Sequence, residues 1–357
     1  MQLFTLQEVI DQFAEVIRHA GARKAPLRIR GGGTKDFYGG ELRGEVLDTC
    51  AYAGVVDYDP TELVITARAG TLISEVEALL RGNNQMLGFE PPRFGAASTL
   101  GGCIAAGLSG PRRPYSGSAR DHVLGMRILD GNGTDLKFGG QVMKNVAGYD
   151  VSRLMVGALG TLGVLLDVSL KVLPASAYDM TLQRECSQAA AIELMNAWAG
   201  NPYPISATCH AAGRLYVRLS GAESAVRAAR GRLGGDELAE GGTFWQEVRD
   251  QTHAFFASPK PLWRISLKPT TPPLPRAEGE LLEWSGALRW VSGNVEREAL
   301  RDRAVSAGGH ATLFRGGEKR DGALQSLPPA LMKLHRRIKQ TFDPHGILNQ
   351  GRMYNGF

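Results

Sequence analysis

Hydrophobic and polar positions alternate along this chain with two periods, and the switches between them mark its elements. From Thr5 to Ala20 the apolar residues Val9, Ile10, Phe13, Val16 and Ile17 recur at helical spacing behind a capping box of Thr5 and Glu8. This predicts an opening amphipathic helix. Leu27-Arg28-Ile29-Arg30 alternates as a short strand and runs straight into Gly31-Gly32-Gly33-Thr34. Another strand is expected over 63–68, then a helix capped at Thr71 and ending near Gly82. After Phe94 the chain turns almost wholly to small residues through Gly110. A strand over 123–129 follows, with an Asp130-Gly131-Asn132-Gly133 hairpin turn and a further strand over 163–172 stopped by Pro174.

Beyond Pro174 the pattern predicts a strand at 178–184, a helix at 188–198, a hairpin of 205–210 and 215–219, and a helix at 223–233. Less regular strands at 262–267 and 287–291 precede a helix over 295–307. A last helix is expected from about Pro328 to Phe342. No glycine clustering comparable to the first half occurs after Pro174, so the domain boundary is placed there. The result is an α+β chain whose second half is an antiparallel sheet covered by helices.

Composition adds one feature. The chain of 357 residues has 45 glycines, against a usual share of about 7%, with five between Gly31 and Gly40 and five between Gly95 and Gly110. The net charge of +5 comes from dispersed arginines without a five-residue basic run, which argues against nucleic acid as a partner. No stretch approaches the roughly 18 apolar residues of a spanning helix. The opening residues carry Glu8 and Asp11 and no basic region, so no secretory signal is expected. Cys50, Cys103, Cys186 and Cys209 lie far apart, which excludes a zinc ribbon or an iron–sulfur cluster held by this chain alone and suits a reducing, cytoplasmic compartment.

Glycines directly after a strand let backbone N–H groups approach a ligand without a Cβ in the way, and successive N–H groups form an anion nest. Arg30 to Lys35 is one candidate nest, and Thr99-Leu100-Gly101-Gly102 is a second. Two nests suit a pyrophosphate. Neither is a P-loop, and no G-x-G-x-x-G opens a helix after an early strand, so the common nucleotide folds are not supported.

On these residues the sequence resembles the FAD-binding domain of the vanillyl-alcohol oxidase and p-cresol methylhydroxylase (PCMH-type) family, on the branch formed by FAD-binding subunits of bacterial glycolate oxidases. The likeness spans essentially the whole chain. It rests on Ile29 to Lys35, Thr99 to Gly102, Gly110 to Gly125, Lys144 to Asp150, Gly157 to Val164 and the closing Phe342 to Met353. The resemblance implies a two-subdomain FAD-binding domain over 1–174, a cap-like α+β domain over 175–340, and a C-terminal segment, 341–357, returning to the flavin. It further implies that Arg30, Gly31, Gly32, Gly33, Thr34 and Lys35 take the pyrophosphate. Thr99, Leu100, Gly101 and Gly102 would wrap the phosphates and ribitol, and Gly107, Ser109 and Gly110 would pass beside the isoalloxazine. Ser118 would bind the phosphate region, Gly163 and Val164 the adenine, and Asn349 would reach the flavin face. Thr34-Lys35 stands where covalent relatives often have a histidine, which implies noncovalent FAD, with His122 a structural residue.

Relatives that oxidise D-2-hydroxy acids carry His-x-Gly-Asp-Gly-Asn-x-His, which supplies a metal. Here the comparable stretch is His210-Ala211-Ala212-Gly213-Arg214-Leu215-Tyr216-Val217, so no metal site is read and no catalytic residue is assigned. Arg264 and Arg315 could bind a carboxylate, though a surface salt bridge is the plainer reading of each. The resemblance therefore implies a redox subunit of a multi-subunit glycolate or 2-hydroxy-acid oxidase. Its partners would be a flavin-containing hydroxy-acid dehydrogenase subunit and an iron–sulfur subunit passing electrons towards quinone. Membrane contact would come only through those partners, at the inner membrane. Two alternatives stay open: a self-sufficient FAD oxidoreductase, and a structural flavoprotein subunit.

Overall fold

Two antiparallel sheets organise the chain, one in each half. The computed structural model describes residues 5–141, 149–274 and 279–357. In the first half five strands lie in the order Val55–Asp59, Val64–Arg68, Val164–Lys171, Val123–Leu129, Asp135–Gly139. The central strand reads VLLDVSLK, and only Asp167 and Lys171 escape burial, as expected for a strand covered on both faces. The helices Ile73–Arg81 and Leu100–Ala106 pack one side through Ile73, Val76, Leu80, Leu100 and Ile104. The opening helix, Leu6–Arg23, packs Val9, Ile10, Phe13 and Ile17 onto Leu129, Val164 and Leu166. Its Thr5–Glu8 capping box is formed.

A short parallel pair, Leu27–Arg30 with Glu45–Asp48, stands beside this sheet, and Leu348 from the far end of the chain bridges to Leu27. The hairpin at Asp130 forms, with the Asp130 carboxylate accepting from the N–H groups of Asn132 and Thr134 at 2.8 Å.

The second half forms an eight-stranded sheet in the order Asp236–Glu237, Tyr178–Glu185, Arg214–Gly221, Ile205–Ala211, Glu280–Glu283, Leu288–Ser292, Leu262–Ser266, His310–Arg315. Helices Gln188–Ala199 and Glu223–Leu233 cover one part of it, and Arg297–Ser306 another. An aromatic cluster that includes Trp245, Trp284, Trp290 and Phe314 packs against Ala106, Leu108 and Leu159 of the first half. The sheet thus meets the first domain beside the glycine-rich turns. The last helix, Pro329–Phe342, returns to the first core through Ile338 and Phe342.

Two local expectations differ from the structure. Thr71 does not cap the following helix, whose N-cap is Leu72 without a side-chain bond. The Thr71 hydroxyl is instead exchanged with Gly54, accepting its N–H at 2.9 Å and donating to its carbonyl at 3.1 Å. The helix Gly241–Asp250 and the strand His310–Arg315 stand outside the expected elements: the helix opens on Gly241-Gly242, which reads locally as a turn, and the strand is only six residues long.

Candidate functional site

The strand Leu27–Arg30 ends at a loop whose backbone donors are unspent. Among the described residues, the N–H groups of Gly31, Gly32, Gly33, Thr34 and Lys35 donate to no protein acceptor. They line a cavity of about 760 Å3 together with Thr99, Gly101, Gly102, Gly163 and Asn349. A run of five orphan donors would be costly against an apolar wall and is suited to an anion.

Side chains hold this loop from both ends. Asp36 accepts from Arg28 and, at 3.2 Å, from Arg30 Nε. Lys35 Nζ donates to Ser98 Oγ at 2.8 Å and to the Arg93 carbonyl at 3.3 Å, tying the nest to the loop before Thr99. Gly33 has φ +69°, which favours glycine. At Gly32 an added methyl would overlap the Ala97 carbonyl, so the two loops touch through backbone.

The C-terminal segment closes the same cavity. Asn349 Oδ1 accepts from Ile29 N–H at 2.7 Å, and its Nδ2 donates to Leu159 O at 2.6 Å. Arg352, which sequence reasoning did not single out, also lines the cavity. It donates to the carbonyls of Asp36, Tyr38 and Gly40, and burial holds it down at about 10. Behind them Lys339 Nζ reaches Asp343 at 2.6 Å and the carbonyls of Thr161 and Leu348.

The second glycine run differs from the nest expected of it. Leu100 N–H donates to Thr71 O, Gly101 N–H to Ala69 O, and Gly102 N–H to Thr99 Oγ1. Its donors are spent inside the protein, and its glycines serve close packing: a Cβ at Gly101 would stand 2.7 Å from that of Ala69. Thr99, Gly101 and Gly102 are therefore a wall of the cavity, while Leu100 turns into the core.

The remaining expected residues are dispersed. Val164 is fully buried within its strand. Gly107 ends the helix Leu100–Ala106 at φ +63° against Gly157. Ser109 and Gly110 line a separate cavity between the two sheets. Ser118 lies outside both cavities, its hydroxyl bonded to Asp121 at 2.8 Å. Lys144 to Gly148 lie outside the described residues. His122 sits between the carbonyls of Ser116 and Lys171 at 2.9 and 3.2 Å. His210 is buried in the strand Ile205–Ala211, bonded through Nε2 to Cys186 O at 3.1 Å, and burial pushes it towards the neutral form. Arg315 donates to Phe256 O at 2.9 Å.

Comparison with known proteins adds the following. Residues 2–139 match the FAD binding domain family, and residues 300–353 match the C-terminal domain of FAD linked oxidases. The glycolate oxidase subunit GlcE of Escherichia coli is 48% identical over 95% of this chain and 96% of its own length. The glycolate oxidase subunit GlcD of Bacillus subtilis is 30% identical over 48% of this chain and 37% of its own. A D-lactate dehydrogenase of Anaerostipes hadrus is 28% identical over 46% of this chain and 35% of its own. A solved alkyldihydroxyacetonephosphate synthase superposes with a TM-score of 0.67 at 16% identity, covering 95% of this chain and 74% of that one, which shows a shared fold.

Proposed function

The chain belongs to the FAD-linked oxidase family, and from that premise we propose that it is the FAD-binding redox subunit of a multi-subunit glycolate or 2-hydroxy-acid oxidase. FAD is its cofactor, held noncovalently. The observation that carries the reading is the run of five N–H groups from Gly31 to Lys35, unpaired among the described residues, that line one cavity with Thr99, Gly101, Gly102 and Asn349. These groups take the pyrophosphate, with Thr99, Gly101 and Gly102 as the opposite wall. Gly163 and Val164 lie at the adenine end, and the turn Gly107 to Gly110 lies beside the ring. Asn349 and Arg352 fasten the C-terminal segment over the site, so that cofactor binding and closure of the chain's two ends are coupled.

When bound, the flavin supplies a two-electron acceptor for the hydride that leaves a carbinol carbon as the hydroxyl proton departs. This chain's part is to hold and enclose it. At the hairpin where hydroxy-acid dehydrogenases of the family have metal-binding histidines, His210 is buried, neutral in tendency and bonded to a backbone carbonyl. A partner subunit of the hydroxy-acid dehydrogenase type therefore supplies the metal-assisted step. An iron–sulfur subunit carries electrons towards quinone. The division into subunits is supported by the names of the relatives, which are subunits of glycolate oxidase. Among the described residues no helix is long and apolar enough to cross a membrane.

The test is an absorbance spectrum of the purified chain, followed by anaerobic addition of glycolate and D-lactate, first alone and then with the partner subunits. The expected result is a yellow protein that releases its flavin on denaturation and bleaches only in the assembled complex. Bleaching of the isolated chain would show a self-sufficient enzyme, and a chain that takes up no FAD would overturn the reading.

A further inference from the structure

The last helix, Pro329–Phe342, packs on the protein through one side. Of its 14 residues Lys339 alone is buried, and Ile338 and Phe342 rest half-buried on the first core. Phe342 meets the ring of Phe138 edge-on, at 6.4 Å, on Asp135–Gly139, an outer strand of the five-stranded sheet. His335 lies beside Tyr354 and Phe357 of the C-terminal segment. Leu331 and Leu334 continue the apolar row of Ile338 and Phe342 at helical spacing, yet they stay 41% and 51% exposed. The row runs off the core and leaves two leucines uncovered.

The same helix carries charge of one sign. It contains no aspartate or glutamate, and its Lys333, Arg336 and Arg337 are exposed. Among the described residues these three side chains form no ion pair and donate no hydrogen bond. The helix Glu223–Leu233, by contrast, pairs Arg227 with Glu223 at 2.6 Å and Arg230 with Glu237 at 3.3 Å. Successive helical residues turn by about 100°. Lys333 and Arg337 therefore stand on the side away from Lys339, and Leu331 and Leu334 lie on the flank between these cations and the core.

We propose that this flank is the docking surface for a partner subunit of the oxidase, which covers Leu331 and Leu334 with apolar side chains and meets Lys333, Arg336 and Arg337 with carboxylates. The inference rests on the subunit reading above and adds to it the place and the chemistry of the contact. An apolar strip edged by charge is how a protein interface is built, with an apolar centre and a polar rim. Charge selects the occupant. A second copy bound across the same flank would set these cations against one another, which is repulsive. A lipid surface would meet the outward cations, while the leucines, turned aside on the flank, would not both sink to the acyl boundary. An acidic protein that grips the flank satisfies the leucines and the cations together.

The test is the affinity of the FAD-loaded full chain for the purified hydroxy-acid dehydrogenase subunit and iron–sulfur subunit, singly and together, at about 0.05 M and about 0.5 M salt. The wild type is expected to bind at least tenfold more weakly at the higher salt. Leu331→Ser with Leu334→Ser should weaken binding at least tenfold at both salts. Arg336→Glu with Arg337→Glu should weaken it at least tenfold at low salt and flatten the salt dependence. If that reversal does not fold, Arg336→Gln with Arg337→Gln decides the matter. Flavin content should match the wild type throughout, because these side chains do not line the cavity of the nest. Wild-type affinity in the leucine and arginine variants would overturn the proposal. Flotation of the isolated chain with vesicles of phosphatidylglycerol and phosphatidylcholine, abolished by the variants while subunit binding persists, would overturn it in favour of a lipid surface. A wild type that holds FAD yet binds neither subunit would overturn the subunit reading, and this inference with it.

Discussion

Glu90 and Arg218, 128 residues apart in the chain, meet in a buried ion pair at 2.8 Å that fastens the first domain to the hairpin of the second sheet. The Glu90 carboxylate also accepts from the backbone N–H of Arg112 at 2.9 Å and from its Nε at 3.2 Å. The carbonyl of Glu90 lies against Gly110 so closely that no side chain fits there. The pair thus braces the turn that floors the inter-sheet cavity.

Arg218→Ala is accordingly expected to destabilise the protein by about 3–5 kcal/mol, because it leaves a buried carboxylate with one of its two cations. Burial alone would raise the Glu90 carboxyl, but Arg218 and Arg112 outweigh it and hold it below its usual range. A depressed carboxyl contributes stability above its unfolded value and loses it as pH falls through the folded value. Denaturant unfolding at neutral pH and at pH 3 should show a smaller penalty for Arg218→Ala in acid. An equal penalty at both would mean that packing of Arg218 on Trp245, and not charge, is what the substitution removes.

Two glycine substitutions should separate loop geometry from cofactor contact. Gly32→Ala pushes a methyl into the Ala97 carbonyl, so the nest must move, and FAD content should fall at least tenfold. A Cβ at Gly102 meets only Thr99 Oγ1, at 3.2 Å. Gly102→Ala should therefore fold normally, and any loss of FAD then reports the closeness of the cofactor to that wall. Flavin stoichiometry and circular dichroism of both variants check this. Full flavin in Gly32→Ala would displace the nest from the site.

The contrast between these glycines also shows what can be read from a linear sequence. Gly31 to Gly33 follow an alternating strand, and their free N–H groups follow from that local geometry. Gly101 and Gly102 look the same in sequence, yet the N–H groups of residues 100–102 are taken by Thr71, Ala69 and Thr99. That pairing depends on how the strand Val64–Arg68 and its following turn dock, which no local pattern encodes. Strands and helices with clear periodicity, such as Val123–Leu129 and Glu223–Leu233, stand where their spacing places them. Arg352 carries no local signal at all, because it acquires its role from carbonyls more than 300 residues away.

The C-terminal clasp should be separable from the nest. Asn349→Ala removes two bonds, to Ile29 N–H and Leu159 O, and leaves both partners buried. A cost of about 2–4 kcal/mol is expected from two lost buried hydrogen bonds. Asn349→Asp keeps the bond to Ile29 and sets a carboxylate against the Leu159 carbonyl, so it should be no milder. Lys339→Met, which touches no residue of the nest, should loosen the same segment through Asp343 and Leu348. If FAD affinity falls in both Asn349→Ala and Lys339→Met, the segment acts as a clasp. A loss confined to Asn349→Ala would make the asparagine a direct cofactor contact.

Glu283 gives the inter-sheet region a pH dependence of opposite sign to that of Glu90. Burial lifts its carboxyl from 4.5 to about 7, with the Trp290 hydrogen bond only partly opposing the rise. A carboxyl that holds its proton more tightly in the folded chain contributes stability below the unfolded value and loses it as pH rises through about 7. The difference between the two values corresponds to on the order of 3 kcal/mol. Glu283→Gln keeps an oxygen to accept from Trp290 Nε1 and cannot ionise. Below pH 5 it should match the wild type, and by pH 8 it should melt at a higher temperature by several degrees. Thermal unfolding of both proteins from pH 5 to pH 8 measures this directly. Parallel curves would mean that Glu283 is ionised throughout and that Arg264, despite its distance, already serves as its counter-ion.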